Sequence, residues 1–282
     1  MTAGDFRIYM RQLAGSVWNK QAAAHFYGLS LQEETITEIL LLEMARTLSP
    51  LGLRVDMFSK QREGGKTRTI KTTDAAGLTI ETKKVMIEAE GADWEWFVDG
   101  LGSCSASFRV QAKKLYRDIP TKAGRYGGFE PNGKQIDNLI KHAAGSNPIY
   151  ILYNHADVLD STLFGPSRLP DYFGRSCWGC AVTTAQFMKH AANEKLATIK
   201  PGCVPWHKFF SIGSPCRPAA AMKDIASGLT LGDGEKPQEF VPAERRPDWV
   251  QTLKSGEADL TSYLVEHHLQ GVAYLNFSDV RG

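Results

Sequence analysis

The sequence predicts an α/β fold with a mixed sheet, and three observations carry that prediction. Segments with helical spacing of apolar residues alternate with segments of period two. Their order from Leu29 to Asn154 is helix, strand, strand, strand, helix, strand. Pro148 to Asn154 (P-I-Y-I-L-Y-N) is a nearly continuous apolar run, as expected of a strand buried on both faces in the middle of a sheet. Such an order packs helices onto a sheet of mixed direction.

Each element has its own signal. Phe6 to Asn19 carries Phe6, Tyr9, Met10, Leu13 and Val17 at helical spacing. Leu29 to Leu48 is the strongest helix. Ser30 is placed to cap it, Glu33 completes a capping box, and Pro50 and Gly52 end it. Glu34 and Glu38 share one face of its first turns. Leu53 to Ser59 alternates as a strand, Gln61 to Lys66 is a glycine-bearing turn, and Thr67 to Thr73 is a polar strand or loop. Lys84 to Val98 and Phe108 to Leu115 form a strand pair joined by the small, polar stretch Gly100 to Ser107. Gly124 to Gly133 reads as a loop, and Lys134 to Ala144 as a helix. Beyond His155 the pattern weakens. Leu159 to Gly174 is irregular, Trp178 to Asn193 is helical, and Pro205 to Ile212 turns into a strand. Ser227 to Pro242 is a loop, Asp248 to Leu264 a helix, and Gly271 to Phe277 a last strand.

Composition narrows the function classes. A chain of 282 residues, 43% hydrophobic and 23% charged, builds a substantial globular core. A net charge of +2 gives no global basic field. Basic residues cluster instead at Lys60, Arg62, Lys66, Arg68 and Lys71, and again at Arg109, Lys113, Lys114, Arg117, Lys122 and Arg125. No apolar run reaches the ~18 residues of a membrane span, and the N-terminus has no secretory pattern. Five cysteines, an odd count in a chain this long, read as reduced thiols in a cytoplasm. Cys177 and Cys180, followed by Cys203, His207 and Cys216, could be set against zinc. However, the second pair lacks the C-x-x-C spacing, and buried thiols are the favoured reading.

Chemistry concentrates between Glu88 and Arg117. In G-A-D-W-E-W (Gly91 to Trp96), Asp93 and Glu95 fall on one face and Trp94 and Trp96 on the other, which is packed. In F-R-V-Q-A-K-K, Arg109, Gln111 and Lys113 share a face. An acid, an amide and an ammonium on one half-buried surface suit a metal ion and a phosphate. Asp93 supplies a hard ligand for Mg²⁺, with Mn²⁺ as a substitute. Gln111 offers a carbonyl oxygen, and the Ala112 backbone carbonyl a further one. Lys113 orients water and stabilises charge, and Glu34 reaches the ion directly or through water.

These residues carry a resemblance. A helix with an early Glu, a strand with Asp, a strand with Gln-x-Lys, then helix and strand, resembles the PD-(D/E)XK nuclease superfamily over about residues 28 to 155. The Q-A-K wording is similar to its Mrr-like branch. E-E-T-I-T, G-A-D-W-E-W, V-Q-A-K, P-I-Y-I-L-Y-N and P-W-H near His207 also resemble an uncharacterised bacterial family of this type. The resemblance implies a restriction-endonuclease-like αβββαβ core at 28–158, after an N-terminal helix at 1–27. Residues 159–282 are then an α/β elaboration packing on the core, for dimerisation, target binding or regulation by a ligand or partner protein. It implies a Mg²⁺-dependent endonuclease acting on DNA in a bacterial cytoplasm, in restriction-type or anti-phage defence. Asp93, Gln111, Lys113 and Glu34 are its catalytic set, Lys114, Arg117, Lys122 and Arg125 grip phosphates, and a homodimer cuts both strands. Gln111 stands where the commoner pattern has an acid, so Glu90, Glu95 or Glu34 supplies the missing charge. The alternatives are a catalytically inactive nucleic-acid-binding module of the same fold and a zinc-stabilised interaction protein.

Overall fold

The computed structural model describes residues 1–59, 69–73, 79–84, 93–117, 124–128, 133–143, 145–155, 175–213, 216–256 and 259–280. Expected features at Gln61 to Lys66, at Leu159 to Gly174, and at Lys60, Arg62, Arg68, Glu90 and Lys122 lie outside the described residues.

The chain starts with helix α1 (Ala3–Phe26), closed by a capping box in which Thr2 accepts from the Asp5 amide and Asp5 from the Thr2 amide. Helix α2 (Glu33–Leu48) follows with Gln32 at its N-cap and no side-chain cap bond. The box expected from Ser30 and Glu33 therefore does not form. Ser30 Oγ instead accepts from Lys114 Nζ at 2.6 Å, and Glu33 Oε1 accepts from the Lys114 backbone N–H at 3.4 Å. A buried ammonium needs its acceptors more than an exposed helix end needs its cap.

The strands are β1 (Arg54–Ser59), β2 (Thr69–Thr73), β3 (Thr79–Lys84), β4 (Trp94–Asp99), β5 (Ala106–Arg117), β6 (Gly124–Tyr126), β7 (Asn147–Tyr153), β8 (Cys180–Thr184), β9 (Val204–Pro205) and β10 (Gly271–Asn276). Among the described residues β2 and β3 pair apart, and the others form an eight-stranded mixed sheet. Its order is β1-β10-β4-β5-β7-β8-β9, with β6 on β5. Strands β4 and β5 are antiparallel, with Trp94 opposite Val110 and Glu95 opposite Arg109. Strands β5 and β7 are parallel, with Gln111 beside Tyr150 and Lys113 beside Leu152. The fold is thus mixed α/β, as predicted. The last strand, however, does not pack outside the core: β10 lies inside the sheet between β1 and β4. Local periodicity reports that a strand exists but not which neighbours it chooses.

Helices α3 (Lys134–Lys141), α4 (Ala185–His190), α5 (Leu196–Ile199), α6 (Trp206–Phe209), α7 (Arg217–Ser227), α8 (Asp248–Ser255) and α9 (Thr261–Glu266) complete the layers. One apolar cluster joins α1, α2, α6 and α7 to Trp94, Trp96, Phe108, Val110, Ile149 and Ile151. A second joins α3, α4, α8 and α9 to Phe97, Tyr150, Leu152 and Val272. Both tryptophans of the G-A-D-W-E-W motif are core residues. Trp96 is fully buried, with its ring 5.7 Å from Trp206 and edge-on to it. Trp96→Ala is expected to cost about 3–5 kcal/mol, read from urea unfolding. A loss under about 1 kcal/mol would show that this aromatic cluster does not hold the layers together.

Four local expectations change. Residues 178–193 contain β8 and then α4, not one helix. Strand β8 is buried throughout between β7 and β9, and Thr184 ends it by capping α4 at the Phe187 amide. Beyond Pro205 the chain enters helix α6, because Trp206 and Phe209 must both face the aromatic core. Gly124–Tyr126 is a strand where a loop was expected. The helix expected at 248–264 is two helices, and Gly256, at φ 70°, ends the first.

Candidate active site at the open edge of strand β5

Strand β4 begins at Trp94, opposite Val110, so among the described residues β5 runs on past it without a β4 partner. Backbone groups of alternate residues point to one edge of a strand. Val110, Ala112 and Lys114 therefore present theirs to the edge that β4 has left. An orphaned amide there requires an acceptor. Asp93 Oδ2 accepts from the Ala112 N–H at 2.9 Å, and Glu33 Oε1 takes the Lys114 N–H. Asp93 is itself fixed at both backbone groups. Its N–H donates to the Val110 carbonyl at 2.9 Å, and its carbonyl accepts from the Gln270 N–H at 2.7 Å. The ragged end of the sheet thus lines up two carboxylates from distant parts of the chain.

The neighbouring side chains are buried and polar. Gln111, Lys113 and Lys114 are each less than 8% exposed. Gln111 Nε2 donates to Asp93 Oδ2 at 2.5 Å and to the Ala112 carbonyl at 3.3 Å. Its Oε1 accepts from Gln135 Nε2, on α3, at 3.0 Å. Lys113 Nζ donates to the Gly128 carbonyl at 2.9 Å. Gly128 has a φ of 62°, so its lack of a Cβ lets the turn deliver that carbonyl.

Burial dominates the electrostatics. It pushes the Asp93 carboxyl up to about 6, against the Ala112 hydrogen bond and the Lys113 charge and with the repulsion of Glu34. Burial also lowers Lys113, and Asp93, Glu33 and Glu34 oppose that fall. Tyr150 is raised by burial and by the Asp93 charge, and stays a neutral phenol. The structure therefore brings Asp93, Gln111 and Lys113 together and couples Glu34 to them electrostatically.

Part of this donor set could serve a cation. Both hydrogen bonds to the Asp93 carboxylate from the described residues fall on Oδ2, so Oδ1 is the oxygen that could be offered to an ion. The Glu34 charge helps raise the Asp93 carboxyl, and a divalent ion would offset that effect. Among the described residues no group of three or more His, Cys, Asp and Glu is placed to hold a metal ion. Two carboxylates and the Ala112 carbonyl, completed by water and a substrate phosphate, match the habit of Mg²⁺. Gln111 differs from expectation: it turns its nitrogen, not its oxygen, to Asp93, because an ionised carboxylate only accepts.

The sequence matches one family over residues 7–66 and 69–281, nearly its whole length. The chain belongs to DUF6615, a family of unknown function. No curated protein and no solved structure matches this chain.

In this DUF6615 chain the remaining expected residues take varied positions. Lys114 does not face solvent. Its ammonium donates to Ser30 Oγ and to the Leu31 carbonyl, each at 2.6 Å, and so ties the α1–α2 connection to β5. Arg125 is exposed, with its guanidinium 3.8 Å from Glu194. The side chain of Arg117 lies outside the described residues. Glu95 is committed elsewhere, accepting from Trp249 Nε1 at 3.0 Å and Tyr263 OH at 2.9 Å. The reading of all cysteines as reduced thiols is corrected, since Cys104 and Cys216 form a disulfide. That removes Cys216 from any zinc set. Cys177, Cys180 and Cys203 are buried thiols, and burial pushes Cys203 up to about 12, away from nucleophilic use. Sequence reasoning missed Gln135, Gly128, Tyr150 and the edge role of Glu33. Only Tyr150 left a signal, as a polar-tipped residue in an apolar strand.

Proposed function

We propose that this DUF6615 protein is a metal-dependent endonuclease that hydrolyses DNA phosphodiester bonds, after the pattern of the PD-(D/E)XK superfamily. The observation that carries the reading is the gathering of Asp93, Gln111 and Lys113 at the open edge of β5, with Glu34 coupled to them. Asp93 and Glu34, with the Ala112 carbonyl, would hold the ion. When bound, Mg²⁺ or Mn²⁺ supplies Lewis acidity and lowers the pKa of water.

The chain's own residues supply the rest. The Ala112 amide and Gln111 fix the Asp93 carboxylate in one orientation. Lys113, pinned by the Gly128 carbonyl, sets positive charge beside a phosphate oxygen. Its lowered pKa lets it exchange a proton with an attacking water more readily than an exposed lysine does. Arg125, exposed on β6, would contact backbone phosphates without reading bases. Cutting both strands needs two such sites, so the assembly proposed is a homodimer. A cytoplasmic role in bacterial defence comes with the superfamily resemblance. Among the described residues no helix is long and apolar enough to cross a membrane.

Incubation of supercoiled plasmid with the purified protein tests the reading, with Mg²⁺, Mn²⁺ or EDTA and a parallel RNA arm. Metal-dependent nicking or linearisation is expected. Intact DNA and RNA in every metal would overturn the activity. The second reading is an inactive nucleic-acid-binding module, favoured by the Gln111 amide group that stands where the commoner pattern has an acid. Retention of DNA in a gel shift without cleavage would select it.

A further inference from the structure

We propose that Gln135 sets the direction of the Gln111 amide, and so makes Gln111 a hydrogen-bond donor to Asp93 instead of an oxygen ligand of the cation. The consequence for the cation rests on the nuclease reading; the direction of the amide does not.

The hydrogen bonds form a directed chain. Gln135 Nε2 donates to Gln111 Oε1 at 3.0 Å, and Gln111 Nε2 donates to Asp93 Oδ2 at 2.5 Å. The second hydrogen of Gln111 Nε2 goes to the Ala112 carbonyl at 3.3 Å. Gln111 is 3% exposed, so water has little access to repair a mismatch. Turning its amide over would place oxygen against Asp93 Oδ2 and the Ala112 carbonyl. It would also set nitrogen against the nitrogen of Gln135. The two bonds to Asp93 and Ala112 would become repulsive contacts, and the third would as well unless Gln135 turned its own amide. Asp93 demands the donor at one end, and Gln135 supplies the donor at the other. Gln135 is held in place by its helix, since Ile136 and Leu139 of α3 are buried in the core. It is a positioning residue, acting on the site through Gln111.

This assignment changes what the Gln-x-Lys pattern means here. The amide does not replace a missing acid at the ion. It pulls on Asp93 Oδ2, so that on the nuclease reading Oδ1 is the oxygen that would meet the ion and the second negative charge would come from Glu34.

Gln135→Glu reverses the polarity at the far end of the chain, because a carboxylate accepts where the amide donated. The test compares urea unfolding of the full chain in EDTA at pH 8 in three backgrounds. In the wild-type background Gln135→Glu is expected to lower the urea midpoint. With Asp93→Asn present the fall should largely persist, because the Asn oxygen must still accept from the Ala112 N–H and so cannot give up its place to a donor for a reversed Gln111. With Gln111→Leu present it should vanish, because the chain is broken. An equal fall in all three backgrounds would reduce the effect to helix damage. A fall that persists with Gln111→Leu but not with Asp93→Asn would reduce it to charge repulsion between residues 135 and 93. Either result overturns the proposal. A second arm measures Mn²⁺ binding by calorimetry. Gln135→Glu should tighten binding by roughly tenfold, since the turned amide offers its oxygen, and by no more than about twofold with Gln111→Leu present. Equal tightening in both backgrounds would overturn the ligand assignment. If the wild type binds no Mn²⁺, the nuclease reading falls, while the unfolding arm still decides the amide direction.

Discussion

Asp93→Asn is expected to lower the rate of Mg²⁺-dependent plasmid cleavage by about 10³-fold or more, with stability at neutral pH changed by no more than ~2 kcal/mol. The substitution is chosen for its geometry. An Asn oxygen still accepts from the Ala112 N–H, so the edge of β5 stays satisfied. What disappears is the negative charge, and with it the anchor of the ion. Lys113→Met should cost about 10²–10³-fold, since it keeps the buried aliphatic stem and removes only the ammonium. Arg125→Ala should act differently. It should weaken binding across all sequences and flatten the salt dependence by about one phosphate contact, without touching the chemical step. Equal cleavage by wild type, Asp93→Asn and Lys113→Met would trace the activity to a contaminant and remove the catalytic assignment.

That experiment concerns residues that were legible in the sequence, and the reason is physical. Strand side chains alternate with a period of two, so Gln111 and Lys113 had to share a face, as did Asp93 and Glu95. The sequence could not show that β4 stops at Trp94 while β5 runs on. That raggedness turns Asp93 and Glu33 into acceptors for edge amides, and it is a property of two strands together. Glu33 shows the limit well. Its spacing from Ser30 is a good capping signal, yet Lys114 claims both residues from across the fold. The equivalent signal at Thr2 and Asp5 is realised, because nothing competes for it there. The position of β10 inside the sheet and the Cys104–Cys216 pairing likewise depend on contacts more than a hundred residues apart, which no local pattern encodes.

Metal-free protein should lose stability as pH rises from about 4 to about 6, and Asp93 should be the cause. Its carboxyl sits at about 6 in the folded chain, above the ordinary 3.8. Between those values the folded state holds a proton that the unfolded state releases. The contribution is therefore complete below about pH 4, declines as pH climbs through 6, and is constant above that. Its size is on the order of 2–3 kcal/mol, from 1.36 kcal/mol per pH unit of displacement. Other carboxylates pull the opposite way. Asp5, held low by its hydrogen bonds to Thr2, contributes nothing at low pH and gains as pH rises. The informative quantity is thus the difference between wild type and Asp93→Asn, measured by urea unfolding at intervals from pH 4 to 8. That difference should change in wild type's favour toward low pH. Mg²⁺ should stabilise the wild type increasingly above pH 6, where the ion no longer competes with the proton, by about 1.4 kcal/mol at ten times its dissociation constant. It should not stabilise Asp93→Asn. A pH-independent difference would mean that Asp93 holds no extra proton. Equal Mg²⁺ stabilisation of both proteins would place the ion away from Asp93, and with it the whole assignment of the β5 edge.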